Sequence, residues 1–282
     1  MITKALKFLD AIAFIVDKVI VPDDEWDQQD WFDEEGEIET RAFFSSRVEN
    51  ARFLERGKGF IEDRLKETVE DTPGGPALKA GGRADFVREM REFMVKEGMA
   101  DERDFEEINN KDVTELGSIS RLSLIYKTNM DSAHGYGRWK QGNKPSIIKL
   151  WPAQRFVRDF NVQEPRPRHE ESIGDVRLKS DTAYWADYQN DSEIGGFNVP
   201  WPPFGFNSAM GVEDVSRADA ISLGLNVDDA EPPEEVGFND NLQVTTKTMS
   251  PEIEDKLVDV IKDARELARL QIKRSMDSIA LR

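Results

Sequence analysis

The 282-residue chain contains no cysteine, which excludes disulfides, thiolate metal sites and thiol nucleophiles. Histidine is nearly as scarce. Only His134 and His169 offer imidazole, too few for a His-rich zinc site. Cations are the minority charge, with 38 Lys and Arg against 56 Asp and Glu and a formal net charge of -18. Affinity for nucleic acid grows with the number of phosphates that cations neutralise, so so acidic a surface disfavours phosphate binding by the whole molecule. Any DNA contact has to be local. Long apolar runs are missing as well. The nearest approach, "TKALKFLDAIAFIVDKVI", is broken by Lys4, Lys7, Asp10, Asp17 and Lys18 and lacks a small-residue cleavage site. It reads as an amphipathic helix with Leu6, Leu9, Ala13, Phe14 and Val16 or Ile20 near one face, docking first on its own domain and second on a partner. Hydrophobic content of 38% and charged content of 33% fit a folded middle with charge-rich helical ends.

The stretch Asp23 to Glu39, "DDEWDQQDWFDEEGEIE", holds ten acidic residues and no basic one, interrupted by Trp26, Trp31 and Phe32. Like charges at this density resist compaction and predict a solvated loop, although the aromatics also suit a ribbon laid on a basic partner. Thr40 to Asp71 returns to helical spacing through Phe44, Val48, Phe53, Leu54, Ile61 and Leu65, and "TPGGPALKAGG" stops it as a hinge or turn. Arg83 to Gly98 resumes as helix, with Phe86, Met90, Phe93 and Met94 on one face. Ser118 or Ser120 caps a further helix that ends at Gly142. The spacing then predicts strands in "SIIKLWPAQRFVRDF", "DVRLK" and "TAYWADY", and a helix over Val212 to Leu225 stopped by Gly224. Ser250 caps and Pro251 opens a last helix, whose stripe runs through Ile253, Leu257, Val260, Ile261, Ala264, Leu267 and Leu270.

This pattern predicts an α+β chain in four parts: a helical N-terminal region over 1–117 with the acidic loop 23–39, a small mixed α/β central module over 118–226 with a Trp/Pro-rich ribbon, an acidic, Pro-rich linker over 227–250, and a long C-terminal helix over 251–282. The terminal helices are expected to bind partners more than they build the core.

Catalytic signals are weak. No phosphate-cradling loop occurs, and "GYGRW" lacks the strand and spacing of a dinucleotide fingerprint. Neither His stands in an elbow or triad context, and His169-Glu170-Glu171 offers adjacent ligands that rarely converge on one ion. The reading assigns no catalytic residue, no cofactor and no metal. The arginines of "RPRH" suit a carboxylate or a phosphate.

Two blocks go beyond composition: "IYKTNMDSAHGYGRWKQ", and "RPRHEESIGDVRLKSDTAYW" followed by "PWPPFGFNSAM". Their pieces are Thr128, Asn129, Gly137 and Arg138 on the helix; Arg166, Pro167, His169 and Gly174; and Trp185, Trp201, Pro202 and Pro203. In that order, over roughly Arg121 to Leu225, they resemble the Mu F-like minor head protein family of tailed bacteriophages, also called phage head morphogenesis proteins. Many relatives follow Pro-Pro with a Gly-x-Gly-Cys-x-Cys ribbon, whereas Asn207 and Ser208 stand here near Gly205, so a thiol role does not carry over.

The resemblance implies a non-enzymatic minor head protein, part of a larger assembly and placed in the head interior or at the portal vertex, in the bacterial cytoplasm during assembly. The implied partners are the portal protein, the major capsid protein or both, with a local contact to packaged DNA and none to a membrane. The alternative is a Mu F-like module carrying a toxin or transferase-like activity. Residue type adds one expectation: Asn129, Arg138, Arg166 and His169 form a single polar network that holds the helix to the Trp-Pro ribbon, because such groups need partners when buried and the ribbon's prolines leave carbonyls without neighbouring donors.

Overall fold

A computed structural model describes residues 9–16, 18–20, 42–43, 51–66, 70–72, 75–77, 82–197 and 199–232. The acidic stretch 23–39 and the C-terminal segment 251–282 lie outside these. The described part is α+β: helices, and a small antiparallel sheet.

The helical part consists of α1 (Leu9–Val16), α2 (Ala51–Lys66), α3 (Arg83–Lys96), the single turn α4 (Asp104–Glu107) and the long α5 (Ile119–Gly142). Capping sets the starts. The Asp85 carboxylate accepts from the Gly82 amide at the head of α3, and the Ser118 hydroxyl accepts from the Arg121 amide at the head of α5. Apolar side chains at three- and four-residue steps then meet in one core: Phe53, Leu54 and Ile61 from α2, Phe86, Met90 and Met94 from α3, Leu122, Ile125 and Ala133 from α5. Each large side chain so buried contributes roughly 1.5–3 kcal/mol.

The first helix does not serve chiefly in partner binding; it joins this core, as docking on its own domain requires. It does so on a different face from the one its sequence suggests. Ala11, Phe14 and Ile15 are buried, whereas Ala13 and Val16 are exposed. Two contacts set this rotation. The Phe14 ring lies 5.1 Å from Tyr136 of α5, and the buried Lys18 ammonium donates to Asn129 of the same helix at 3.2 Å. Val19–Ile20 (β1) and Ala42–Phe43 (β2) pair in parallel, so the helical spacing assigned from Thr40 onward gives way to strand at its start. The breaker-rich stretch holds a small hairpin, β3 (Glu70–Thr72) with β4 (Gly75–Ala77).

The second part is a three-stranded antiparallel sheet in the order β6-β5-β7, formed by β5 (Ala153–Arg158), β6 (Val176–Leu178) and β7 (Met210–Val215). Three expectations need correction here. Ser146 to Ile148 belong to a helical turn, α6 (Pro145–Ile148), because Pro145 at the first helical position presets φ; the strand begins only at Ala153. "AYWADY" is a π-helical turn over Ala183–Tyr188, opened by the Asp181 carboxylate, which accepts from the Tyr184 amide. Val212 to Val215 are strand, with Val212 paired to Phe156, and a helix starts only after Ser216 caps α8 (Arg217–Ser222). The strand after Gly174 and the positive φ at Gly224 fall where the spacing places them. Between β5 and β6, Arg166 leads into the short α7 (Pro167–Glu171).

Lys179 fastens the sheet to α5. Its side chain is 2% exposed, pairs with Asp214 of β7 at 2.7 Å and donates to the Gly142 carbonyl at the end of α5 at 3.1 Å. A cation at the carbonyl end of a helix meets both its unsatisfied acceptor and its dipole.

Because Phe14 is buried between α1, α5 and Trp201, the variant Phe14→Ala should lose about 3–5 kcal/mol in urea unfolding. A loss under about 1 kcal/mol would mean that the first helix is an accessory and not core.

Candidate functional site

The ribbon after Val199 lies against α5 through one glycine. A Cβ built on Gly135 would come within 1.6 Å of the Pro202 carbonyl oxygen, so only a residue without a side chain lets helix and ribbon approach this closely. On one side of that contact Trp201 enters the helical core, with ring centroids 5.0 Å from Trp139, 5.2 Å from Tyr136 and 6.5 Å from Phe14. The Pro202–Pro203 peptide is cis. On the other side Phe204 enters a second core with Phe156, Trp185 and Met210. Three residues apart, the two aromatics thus belong to two different cores.

Arg166 holds the ribbon from the sheet side. Its Nε donates to the Ile194 carbonyl at 2.6 Å and a terminal nitrogen donates to the Phe206 carbonyl at 3.1 Å, which is the use that proline-rich carbonyls invite. Gly205, at φ 151, passes so near that a Cβ would meet the Gly195 carbonyl and the Arg166 guanidinium. Asn190 closes the preceding loop by bonding the backbone of Phe197 and Val199.

His169 is fully buried. Its Nε2 lies 2.8 Å from the Gln189 carbonyl, which can only accept, so Nε2 carries the proton. Nδ1 is buried with no hydrogen-bond partner among the described residues. Burial first, then the neighbouring Arg166, Arg158 and Arg168, hold the ring's pKa below its ordinary value, the bond to Gln189 partly opposing them. Trp185 donates to the Leu178 carbonyl at 2.8 Å, and Gly174 turns the chain at φ 94 into β6.

The four polar residues expected to share one network are apart. Asn129 is buried but bonds Lys18, just after α1, and the Ile125 carbonyl, not the ribbon. Arg138 is exposed and makes no hydrogen bond or ion pair among the described residues. Only Arg166 reaches the ribbon, and His169 anchors α7 to the loop after the π-helical turn. The physical reason is that α5 has two working faces. Leu122, Ile125, Asn129, Ala133 and Tyr136 face the bundle, whereas Thr128, Asp131, Gly135, Arg138 and Gly142 recur at three- and four-residue steps along a groove. Gly137 is buried within the same helix.

This groove, about 620 Å³, runs between α5, the ribbon and β7. Burial, foremost, pushes the Asp159 carboxyl up in pKa; Arg138 opposes that, and Glu213 and Asp131 add to it. The His134 ring is pushed down by burial and by Arg138, against the pull of Asp131. The Asp159 carboxylate lies directly over β7, since a Cβ on Gly211 would meet it at 2.3 Å. Asp159 and Lys179 are the positions that sequence reasoning missed, and nothing local marks either. Among the described residues no group of three or more His, Asp or Glu is placed to hold a metal ion, and no helix is long and apolar enough to cross a membrane.

The fold and site define a small α+β module strapped to a helical bundle by a Trp-Pro ribbon, with an open mixed-charge groove. A protein of Escherichia phage Mu described as "Putative capsid assembly protein F" is 24% identical to this chain over 199 residues, covering 70% of this chain and 39% of the Mu protein. The chain thus spans well under half the length of that relative. No protein family model and no solved structure matches the chain. The Mu match gives distant support to the phage-head resemblance carried by the motifs.

Two outcomes test this geometry. Gly135→Ala should push the ribbon off α5 and cost about 1–3 kcal/mol or more, seen as a lower melting temperature and altered fluorescence of Trp139 and Trp201. An unchanged melting temperature would refute the close contact. His169 should make stability fall in acid. Its folded pKa lies below the ordinary 6.5, so as pH drops through that value the unfolded chain binds a proton that the folded chain excludes. Comparing urea unfolding at pH about 8 and about 5.5, His169→Gln should lose part of the wild-type decline, while an identical decline in both proteins would refute the assignment.

Proposed function

We propose that this chain is a non-enzymatic head protein of a tailed bacteriophage, acting in head assembly or genome delivery from the inner capsid or the portal vertex. Its partners are then the portal protein, the major capsid protein or both, and its place is the virion, after assembly in the bacterial cytoplasm. The observation that carries this reading is the 199-residue likeness to a Mu protein described by capsid assembly. The geometry supports it. Side chains that would attract a catalytic assignment are engaged in holding backbone: Arg166 clamps the ribbon, Arg168 donates to the Tyr188 carbonyl and pairs with Asp191, and His169 bonds Gln189. The Ser208 hydroxyl, the buried hydroxyl beside the groove, lies 3.4 Å from the Met210 amide. The net charge of -18 suits a protein that works beside packaged DNA without adhering to it.

Heads purified from the phage that encodes the chain should contain it in few copies by quantitative mass spectrometry, and its deletion should lower the yield of DNA-filled heads. Heads that lack the protein and form normally without it would overturn the proposal.

A further inference from the structure

Among the described residues β7 is an edge strand of the sheet, paired only with β5, and its residues line the groove. The amide of Asp159 donates to the Ala209 carbonyl, and Arg158 stands opposite Met210. In an antiparallel ladder this directs the backbone groups of Gly211, Glu213 and Val215 toward β5, and those of Val212 and Asp214 away from it. Among the described residues the outward amides and carbonyls of Val212 and Asp214 meet no partner. Opposite them stands the polar stripe of α5, with Asp131 and Arg138 lining the same groove. A strand edge and a helix flanking a cavity of about 620 Å³ form the geometry in which an extended peptide adds as a further strand, its main chain bonding the edge and alternate side chains entering the cavity.

Charge selects the occupant. Asp131, Asp159 and Asp214 line the groove and Glu213 adds to the field at Asp159, against Lys127 and Arg138. Lys127 pairs with Asp131, and Lys179 neutralises Asp214 from beneath. The Asp159 carboxylate lies on β7 at Gly211, one residue from the open amide of Val212, and makes no hydrogen bond among the described residues. A partner cation there would meet an exposed carboxylate that lies in the field of Glu213 and Asp131 as well as Arg138, in a molecule whose overall charge of -18 already attracts cations.

We propose that β7 and this groove take up an extended segment of a partner protein, with a lysine or arginine of that segment paired to Asp159. The inference rests on the assembly reading only in taking the partner to be a protein.

The test uses the full-length chain as bait for an mRNA-displayed library of random peptides of about twelve residues, followed by fluorescence anisotropy on synthesised hits. Recovered peptides should alternate β-branched residues with polar ones and carry a central Lys or Arg. Asp159→Asn should weaken them about tenfold or more. N-methylation of alternate peptide amides should abolish binding, because it removes main-chain donors without changing side chains. Val212→Pro, which removes an outward amide at an edge position where proline is tolerated, should weaken binding similarly; melting temperatures check that both variants fold. Recovery of no binding peptide, of acidic or helical peptides, or of peptides indifferent to both Asp159→Asn and N-methylation would overturn the proposal. No phage component is in the assay, so its failure leaves the head-assembly reading standing, and heads that form without the protein leave peptide binding standing.

Discussion

The contact of Gly135 with the Pro202 carbonyl is the constraint on which the rest of the described structure depends. It sets the distance between the long helix and the ribbon, and thereby where Trp201 and Phe204 go. Trp201 closes an aromatic cluster built from α1 and α5, while Phe204 completes the core beneath the sheet. A ribbon that places large rings in two cores couples them: a shift of the ribbon disturbs both packings, and close-packed interiors tolerate little displacement. Proline suits this position because its fixed φ removes backbone freedom before folding, so the rings are held at a small entropic cost.

Proline also removes amide donors, and turns leave carbonyls unpaired, so a structure built this way needs donors from elsewhere. Cationic side chains supply several of them. Arg166 bonds the carbonyls of Ile194 and Phe206, Lys179 bonds the last carbonyl of α5, and Lys18 bonds the Asn129 side chain on the same helix. Each joins segments distant in sequence. In a chain with 56 acidic residues, the cations that matter most to the fold are therefore engaged with neutral oxygens as well as carboxylates. Such groups are costly to leave unpaired, which ties the parts together more specifically than apolar packing alone.

Much of the fold was legible because local signals agreed with tertiary ones. Ser118 capped the long helix, Phe86, Met90 and Met94 marked the buried side of α3, and the strand in "DVRLK" formed where its spacing predicted. Reading failed where a long-range contact outweighed a local pattern. The run after Val212 has helical spacing, yet pairing with Phe156 makes its first part strand. The aromatic run "AYWADY" has strand composition, yet its rings pack from a helical turn onto Phe156. Ala13 fits an amphipathic stripe, but the positions of Tyr136 and Asn129 decide which side of α1 is covered. None of these partners is within reach of a local pattern.

The misread polar network has the same origin and explains the groove. Grouping Asn129 and Arg138 supposes that both are buried and that both find their partners in the ribbon, whose prolines leave carbonyls without neighbouring donors. On α5 they are nine residues apart and lie on different stripes: one is buried against Lys18, the other open to solvent. The second stripe holds two glycines, a threonine and two opposite charges, too little apolar surface to be covered by packing. Gly135 brings the ribbon onto this stripe at a single point, and Lys179 fixes its far end at Gly142. Away from those two attachments the helix and the edge strand each present polar groups to the same space. The groove is thus a consequence of fastening α5 to the ribbon at Gly135 and to the sheet at Gly142 while leaving the rest of its polar stripe uncovered.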